Sequence, residues 1–135
     1  MLIWGMRHWM AAMLQTRPVP VSVMRSFETA GGTQAFRSMV AMVLLAARDA
    51  DRPLLIHPPC SGELSIDEET IARALAAFAE KSFAAARLHL RVLIGGEPSA
   101  ALERHALIVA DCFRSAGLRA AFGKPAEWSA LASSG

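Results

Sequence analysis

The sequence predicts a single all-α domain of five or six helices, with at most one short extended segment. Apolar residues recur every three or four positions in most segments between the glycines and prolines, which is the spacing of one face of a helix. The chain has 135 residues, of which 53% are hydrophobic and 19% charged. A chain of this size and composition buries a core of its own, so we place one domain at residues 1–123.

The first segment predicts an amphipathic helix over residues 1–15, either part of the domain or an extension in front of it. Leu2 and Met6 lie on its apolar face, whereas Arg7 lies on the opposite side. The helix is rich in Met and Trp, whose side chains adapt to the surface of a partner. It therefore predicts a partner-binding surface made by Trp4, Met6, Trp9, Met10 and Met13. Packing of this face on the domain itself is the alternative.

Residues 18–30 allow two interpretations. Two prolines, at positions 18 and 20, exclude a helix interior there. A short helix with Val23 and Phe27 facing the core is one possibility. A strand is the other, because valines alternate with other residues at positions 19, 21 and 23.

Capping residues, glycines and prolines mark the limits of three further helices. The first spans residues 33–50 with Thr33 as its N-cap, the second spans residues 82–94 and ends at Gly95, and the third spans residues 98–117. Residues 124–135 are mostly small or polar and predict a loosely ordered tail.

Residues 54–69, LLIHPPCSGELSIDEE, combine a histidine, a cysteine and several carboxylates. Ser65 and Glu68 fit a capping box, in which each side chain bonds a backbone N–H of the other's position, and they open a helix that runs to about Lys81. Acidic residues in a first helical turn complement the helix dipole. The spacing of a calcium-binding loop is absent, so these acids predict a helix start rather than a cation site.

Zinc ligation is one chemical hypothesis for this stretch. His57 and Cys60 have the spacing of two zinc ligands. His105 or Cys112 could supply a third ligand, and His89, Glu63 or Asp67 a fourth. Cys112 follows His105 by seven residues, about 10.5 Å along one helix, so these two do not easily bind one ion. The ordinary interpretation is that each cysteine packs as a small apolar residue.

A catalytic thiol is the second chemical hypothesis. Cys60 precedes a helix, and His57 could act as its base. The four acids of the stretch oppose a thiolate, because negative neighbours raise the pKa of a thiol. No nucleophile elbow, phosphate loop or pair of catalytic carboxylates is present in the sequence.

From about residue 36 to residue 122 the order of features resembles a family of short uncharacterised bacterial proteins. In that family an apolar helix leads to Arg-Pro, a Pro-Cys turn follows, and a Ser or Thr with an acidic pair opens the next helix. The matching residues are Arg52, Pro53, Pro59, Cys60, Ser65, Asp67 and Glu68. The family's cysteine is often doubled or tripled, whereas Cys60 stands alone. The resemblance implies a helical fold and carries no activity.

Charge and composition bound the function further. The net charge is +2 without a basic stripe, so we predict no nucleic-acid partner. The longest apolar run, residues 39–47, is too short to span a membrane. Two cysteines and no export signal predict a cytoplasmic protein with reduced thiols. We predict no cofactor. Residues with GC-rich codons predict a bacterial source. We predict a helical interaction or regulatory module that forms a homodimer or binds a partner. The alternative is a thiol-dependent or metal-binding protein that uses His57 and Cys60.

Overall fold

The structure, a computed structural model, describes residues 2–30 and 32–115. This part of the chain consists of six helices and contains no strand, which confirms the all-α prediction. The helices are α1 (Leu2–Leu14), α2 (Val21–Ala30), α3 (Gly32–Asp49), α4 (Ile66–Ala79), α5 (Phe83–Ile94) and α6 (Ala100–Ser115). The strand considered for residues 18–30 is wrong, because Val21 already begins α2. Residues 50–65 form the long irregular connection between α3 and α4.

The core lies between α3, α4, α5 and α6. Helix α3 packs on α6 and α2, while α4 packs on α5 and α6. Phe27 of α2 completes this core, with its ring edge-to-face against Phe36 at 5.2 Å and against Phe113 at 6.2 Å between centroids. Such aromatic pairs add specific geometry to the burial of apolar surface that stabilises the fold.

Helix α1 packs into the same core. Leu2 and Met6 are completely buried there, and Gly5 between them is buried as well. A Cβ atom on Gly5 would lie 2.5 Å from Cε2 of Phe27, so the absent side chain lets α1 approach α2 closely. Arg7 is only 1% exposed, so its predicted place on a polar, outward side of α1 is wrong.

The helix ends follow local signals with one exception. Ser65 is the N-cap of α4 and forms both bonds of the capping box with Glu68. Gly95 ends α5 in the left-handed conformation, at φ 75°. Helix α3 begins at Gly32, so Thr33 lies within the helix rather than at its cap. The predicted helix end at Gly117 and the tail at residues 124–135 lie outside the described residues.

The lengths and compositions of the helices also bear on membrane insertion. Within residues 2–30 and 32–115, none of the helices combines the length and the apolar character needed to cross a bilayer.

Candidate functional site

The candidate site is the irregular segment before α4 together with the first turn of that helix. Two consecutive acids of α4, Asp67 and Glu68, accept hydrogen bonds from the backbone N–H groups of Leu55 and His57. In an extended chain, N–H groups two residues apart point to the same side. The two carboxylates therefore bind one edge of the segment, as a neighbouring strand would.

Asp67 is also bound by an arginine. Nη1 and Nη2 of Arg52 donate to its two carboxylate oxygens at 2.8 and 2.6 Å, while the N–H of Leu55 donates at 2.6 Å. The hydrogen bonds from Arg52 and Leu55 lower the pKa of Asp67, although burial of the carboxyl acts in the opposite direction. This carboxylate is ionised at neutral pH. Both of its oxygens accept hydrogen bonds from the protein, so it is not positioned to take a proton from a substrate.

Glu68 is bound by Arg7 of α1. Nε and Nη2 of Arg7 donate to the carboxylate at 2.7 and 2.8 Å, and both side chains are completely buried. Arg7 also donates through Nη1 to the carbonyl of Ser61 at 2.8 Å and through Nη2 to the carbonyl of Glu63 at 2.6 Å. One guanidinium thus joins α1, the irregular segment and α4. A buried pair of this kind depends on such additional bonds, because both charges have been removed from water.

The ring of His57 faces the backbone of its own loop. Nδ1 lies 3.1 Å from Oγ of Ser61 and 3.0 Å from the carbonyl oxygen of Glu63. A carbonyl only accepts, so the contact with Glu63 assigns the proton to Nδ1. In the neutral ring Nε2 is then the acceptor, and the Ser61 hydroxyl donates to the Glu63 carbonyl at 3.2 Å rather than to His57. His57 is therefore not oriented as a base for Ser61.

Cys60 lies at the tip of a turn closed by a hydrogen bond from the N–H of Ser61 to the carbonyl of Pro58 at 3.0 Å. Cys60 is exposed, and its thiol takes no part in a disulfide. Within the described part of the chain, no hydrogen bond joins Cys60 to His57. The pair that the sequence proposed as nucleophile and base is close in sequence but is not assembled as a dyad.

The remaining metal candidate lies elsewhere in the fold. Nδ1 of His105, on α6, is 3.4 Å from Oγ of Ser38 on α3. Cys112, seven residues beyond His105 on the same helix, contacts the side-chain oxygen of Gln34 at 3.9 Å, and burial raises the pKa of its thiol. Among residues 2–30 and 32–115, no three His, Cys, Asp or Glu side chains gather as ligands for a metal ion. His57, Cys60 and His105 thus do not converge.

The side chains proposed for partner binding have different surroundings. Met6 and Trp9 lie in the core, at 0% and 7% exposure. Trp4 and Met10 are partly buried against that core, and Met13 is half exposed near the end of α1. In this structure, four of the five side chains pack on the chain's own domain.

Sequence reasoning missed Arg7 as the residue at the centre of the site. One signal could have found it: Arg7 is the only Lys, Arg, Asp or Glu in an otherwise largely apolar helix. A lone charge in such a helix is stable only if a partner meets it, and the acids near residue 68 were available. The sequence predicted the capping box of Ser65 and Glu68, but it did not predict that the Glu68 carboxylate also binds Arg7.

The resemblance to short bacterial proteins through residues such as Arg52 and Cys60 stays a prediction. Neither protein-family models, nor curated proteins, nor solved structures match the chain.

Proposed function

We propose that the protein is a small helical module that acts by associating with another polypeptide, first of all a second copy of itself, and carries out no chemistry of its own. The observation that carries this proposal is a contrast. The charged side chains of the best candidate site are used to hold the fold together, whereas large apolar side chains are left exposed on the helices.

The carboxylates support the first half of this contrast. Asp67 and Glu68 each accept two hydrogen bonds from an arginine. The backbone of the irregular segment donates one further hydrogen bond to Asp67 and two to Glu68. A general base needs a lone pair directed at a substrate, and a metal ligand needs one directed at an ion. Both acids instead direct their lone pairs at the protein, which is the arrangement of a structural site.

The exposed apolar side chains support the second half. Among the described residues, the large hydrophobic side chains with at least 45% exposure are Met13, Leu14, Val21, Leu44, Leu55, Ile66, Phe83, Leu88 and Val92. Single exposed apolar residues are ordinary on any protein surface, but contiguous ones on one helix mark a surface that another molecule covers. Leu88 and Val92 are one helical turn apart on α5.

The interior adds a further reason. A cavity between α3, α4, α5 and α6 has a volume of about 10 Å³ and is lined by apolar side chains such as Met42, Leu75 and Leu90. Pockets for small molecules typically have volumes of several hundred Å³ and a few polar groups. This cavity is a packing defect rather than a substrate site.

A thiol-dependent function is the second candidate, because Cys60 is exposed on a turn. Its supposed base, His57, directs Nδ1 at the carbonyl of Glu63 instead. Both described cysteines are free, and we propose a cytoplasmic location in which they remain reduced.

Sedimentation velocity of the full chain over a range of concentrations tests the proposal, combined with affinity purification of the tagged full chain after cross-linking in the cells that express it. We expect a monomer–dimer equilibrium or a partner in stoichiometric amount. A chain that stays monomeric up to about 200 µM and recovers no stoichiometric partner would contradict the proposal. Catalytic turnover that is lost on Cys60→Ser would favour the thiol-dependent candidate.

A further inference from the structure

Helix α5 exposes an apolar face to solvent. Its inner side, formed by Ala86, Leu90, Leu93 and Ile94, is buried against the core. On the opposite side Leu88 is 57% exposed and Val92 is 63% exposed, and the alanines at positions 84 and 85 are exposed as well. We call Ala84, Ala85, Leu88 and Val92 the α5 face.

This face is unusual for a helix at the surface of a protein. A surface helix normally carries charged or polar residues opposite its apolar stripe, whereas a helix that is apolar almost all round is normally buried. The polar residues of α5 are Arg87, His89 and Arg91, and none of them lies in the middle of the outward side. The outward side of α5 therefore carries an apolar stripe that is bordered by Arg87 and Arg91, whose side chains are 51% and 48% exposed.

We propose that the α5 face is an interface between two copies of this chain, in which the two α5 helices pack antiparallel across a two-fold axis next to Leu88. This inference rests on the proposed function and specifies its surface and its partner. The occupant is a second copy because the face is complementary to itself in shape and neutral in charge.

The complementarity in shape follows from the spacing of the residues. Ala84 and Val92 lie four residues before and after Leu88, so all three project from the same side of the helix. In an antiparallel pair centred on Leu88, Val92 of each copy lies opposite Ala84 of the other. A large side chain then meets a small one at both ends, which lets the helices approach closely and satisfies the symmetry of a two-fold interface.

The charges at the border of the face are already paired. Nε of Arg87 lies 2.7 Å from a carboxylate oxygen of Glu103, and Nη2 of Arg91 lies 2.8 Å from one of Glu97. Unpaired arginines would repel a second copy and favour an acidic partner. With each arginine paired within its own chain, neither of the two opposes the approach of a second copy.

The size of the face sets the expected strength. Twelve residues of helix are about 18 Å long, so one pair of helices buries less area than the roughly 800 Å² per partner of a standard stable interface. We therefore expect a dimer that dissociates on dilution in the micromolar range.

Sedimentation velocity of two matched variants tests the surface. Leu88→Glu places a charge beside the axis, and we expect the dissociation constant to rise by about thirtyfold or more. Leu44→Glu is the control, because Leu44 is 49% exposed on α3 and lies outside the α5 face. We expect its dissociation constant to stay within about threefold of the wild-type value. Thermal unfolding of both variants verifies that each is folded.

Disulfide trapping tests the arrangement. In a background carrying Cys60→Ser and Cys112→Ser, we expect Leu88→Cys to form a covalent dimer on oxidation. The double variant Ala84→Cys, Val92→Cys should do so as well, because a disulfide needs Cα atoms within about 7 Å and these positions meet only between antiparallel copies. Leu44→Cys in the same background should not form a covalent dimer under the same conditions.

The outcomes separate this inference from the proposed function. A wild-type dimer that Leu88→Glu does not weaken would overturn the α5 interface and leave self-association standing. Trapping through Leu88→Cys without trapping of the double variant would overturn the antiparallel arrangement. A chain that is monomeric at every concentration would also overturn the interface, and the proposed function would then depend on recovery of a different protein.

Discussion

Arg7 in α1 and Glu68 in α4 form a buried ion pair through two hydrogen bonds of 2.7 and 2.8 Å, although 61 positions separate them in the sequence. Neither side chain is exposed to solvent. The pair explains why a helix rich in Met and Trp belongs to the domain. Helix α1 is held by its buried apolar face and also by the buried ion pair between Arg7 and Glu68.

Removing one member of this pair should destabilise the protein strongly. Arg7→Met leaves the Glu68 carboxylate buried without its arginine, and we expect the free energy of unfolding to fall by about 3–5 kcal/mol. Urea denaturation measures this change. Arg73→Met is the control, since Arg73 is 64% exposed in its pair with Glu69 and should contribute less than about 0.5 kcal/mol.

A double variant separates the ion pair from packing. Glu68→Gln keeps an oxygen for the N–H of Ser65 but removes the charge. Because Arg7→Met with Glu68→Gln contains no buried unpaired charge, we expect it to be more stable than the sum of the two single effects allows. Additive effects would contradict a direct interaction between the two side chains.

His8 should weaken the fold as the solution becomes acidic. Its Nδ1 atom is buried and has no hydrogen-bond partner among the described residues. Burial and the nearby positive charge of Arg17 lower the pKa of His8 in the folded state. The unfolded chain then binds a proton more readily than the folded chain, so stability is lost as the pH falls below about 6.5 toward the lowered pKa.

The variant His8→Phe tests this expectation. A phenyl ring retains the edge contact with Trp4, whose centroid lies 4.7 Å from that of His8, and removes the unpaired nitrogen. We expect the free energy of unfolding to rise by up to about 1 kcal/mol at neutral pH. The advantage over wild type should grow between about pH 6.5 and pH 5. A constant difference over this range would show that His8 does not titrate differently in the two states.

Two adjacent glycines provide a matched test of backbone conformation. Gly95 has a φ of 75°, and a Cβ atom there would lie against the carboxylate of Asp51, whereas a Cβ atom on Gly96 would meet no atom within 4 Å. We expect Gly95→Ala to lower the free energy of unfolding by at least about 1 kcal/mol. Gly96→Ala should have a much smaller effect in the same denaturation experiment. Equal effects of the two substitutions would contradict the requirement for glycine at position 95.

The two cysteines should differ in reactivity. Cys60 is exposed, while Cys112 is half-buried and burial raises the pKa of its thiol. We therefore expect a disulfide reagent to modify Cys60 at least about tenfold faster than Cys112 in the native protein. The single variants Cys60→Ser and Cys112→Ser assign the two rates. A rate for Cys60 far above that of an unfolded peptide thiol would instead support a thiol-dependent function.

The prediction from sequence succeeded where the signal is local. The capping box at Ser65 depends on residues three apart, and the end of α5 at Gly95 depends on the conformational freedom of one glycine. Both the capping box and this helix end can be predicted without knowledge of the tertiary structure. The helical interpretation of residues 18–30 placed Val23 and Phe27 on the side that faces the core, and both are buried.

The site depends on distant pairs, which local patterns do not reveal. Arg7 is an outward residue by helical periodicity, but the irregular segment supplies two carbonyl groups to it and α4 supplies the carboxylate of Glu68. His57 and Cys60 have ligand-like spacing, yet the turn at Pro58 directs the thiol to solvent and the ring toward Glu63. Spacing in sequence did not determine the direction of either side chain.

The bond between Arg7 and Glu68 also has a consequence for how the chain is made. Helix α1 is synthesised before α4, so the carboxylate that binds Arg7 is added to the chain 61 residues after the arginine. Until then the apolar side chains of Leu2 and Met6 lack part of the core that buries them. Closing a loop of that length carries an entropic cost that local helix formation does not repay. A growing chain therefore exposes the apolar α1 and its arginine to the surroundings until α4 emerges. During this interval the chain is open to aggregation and to chaperone binding.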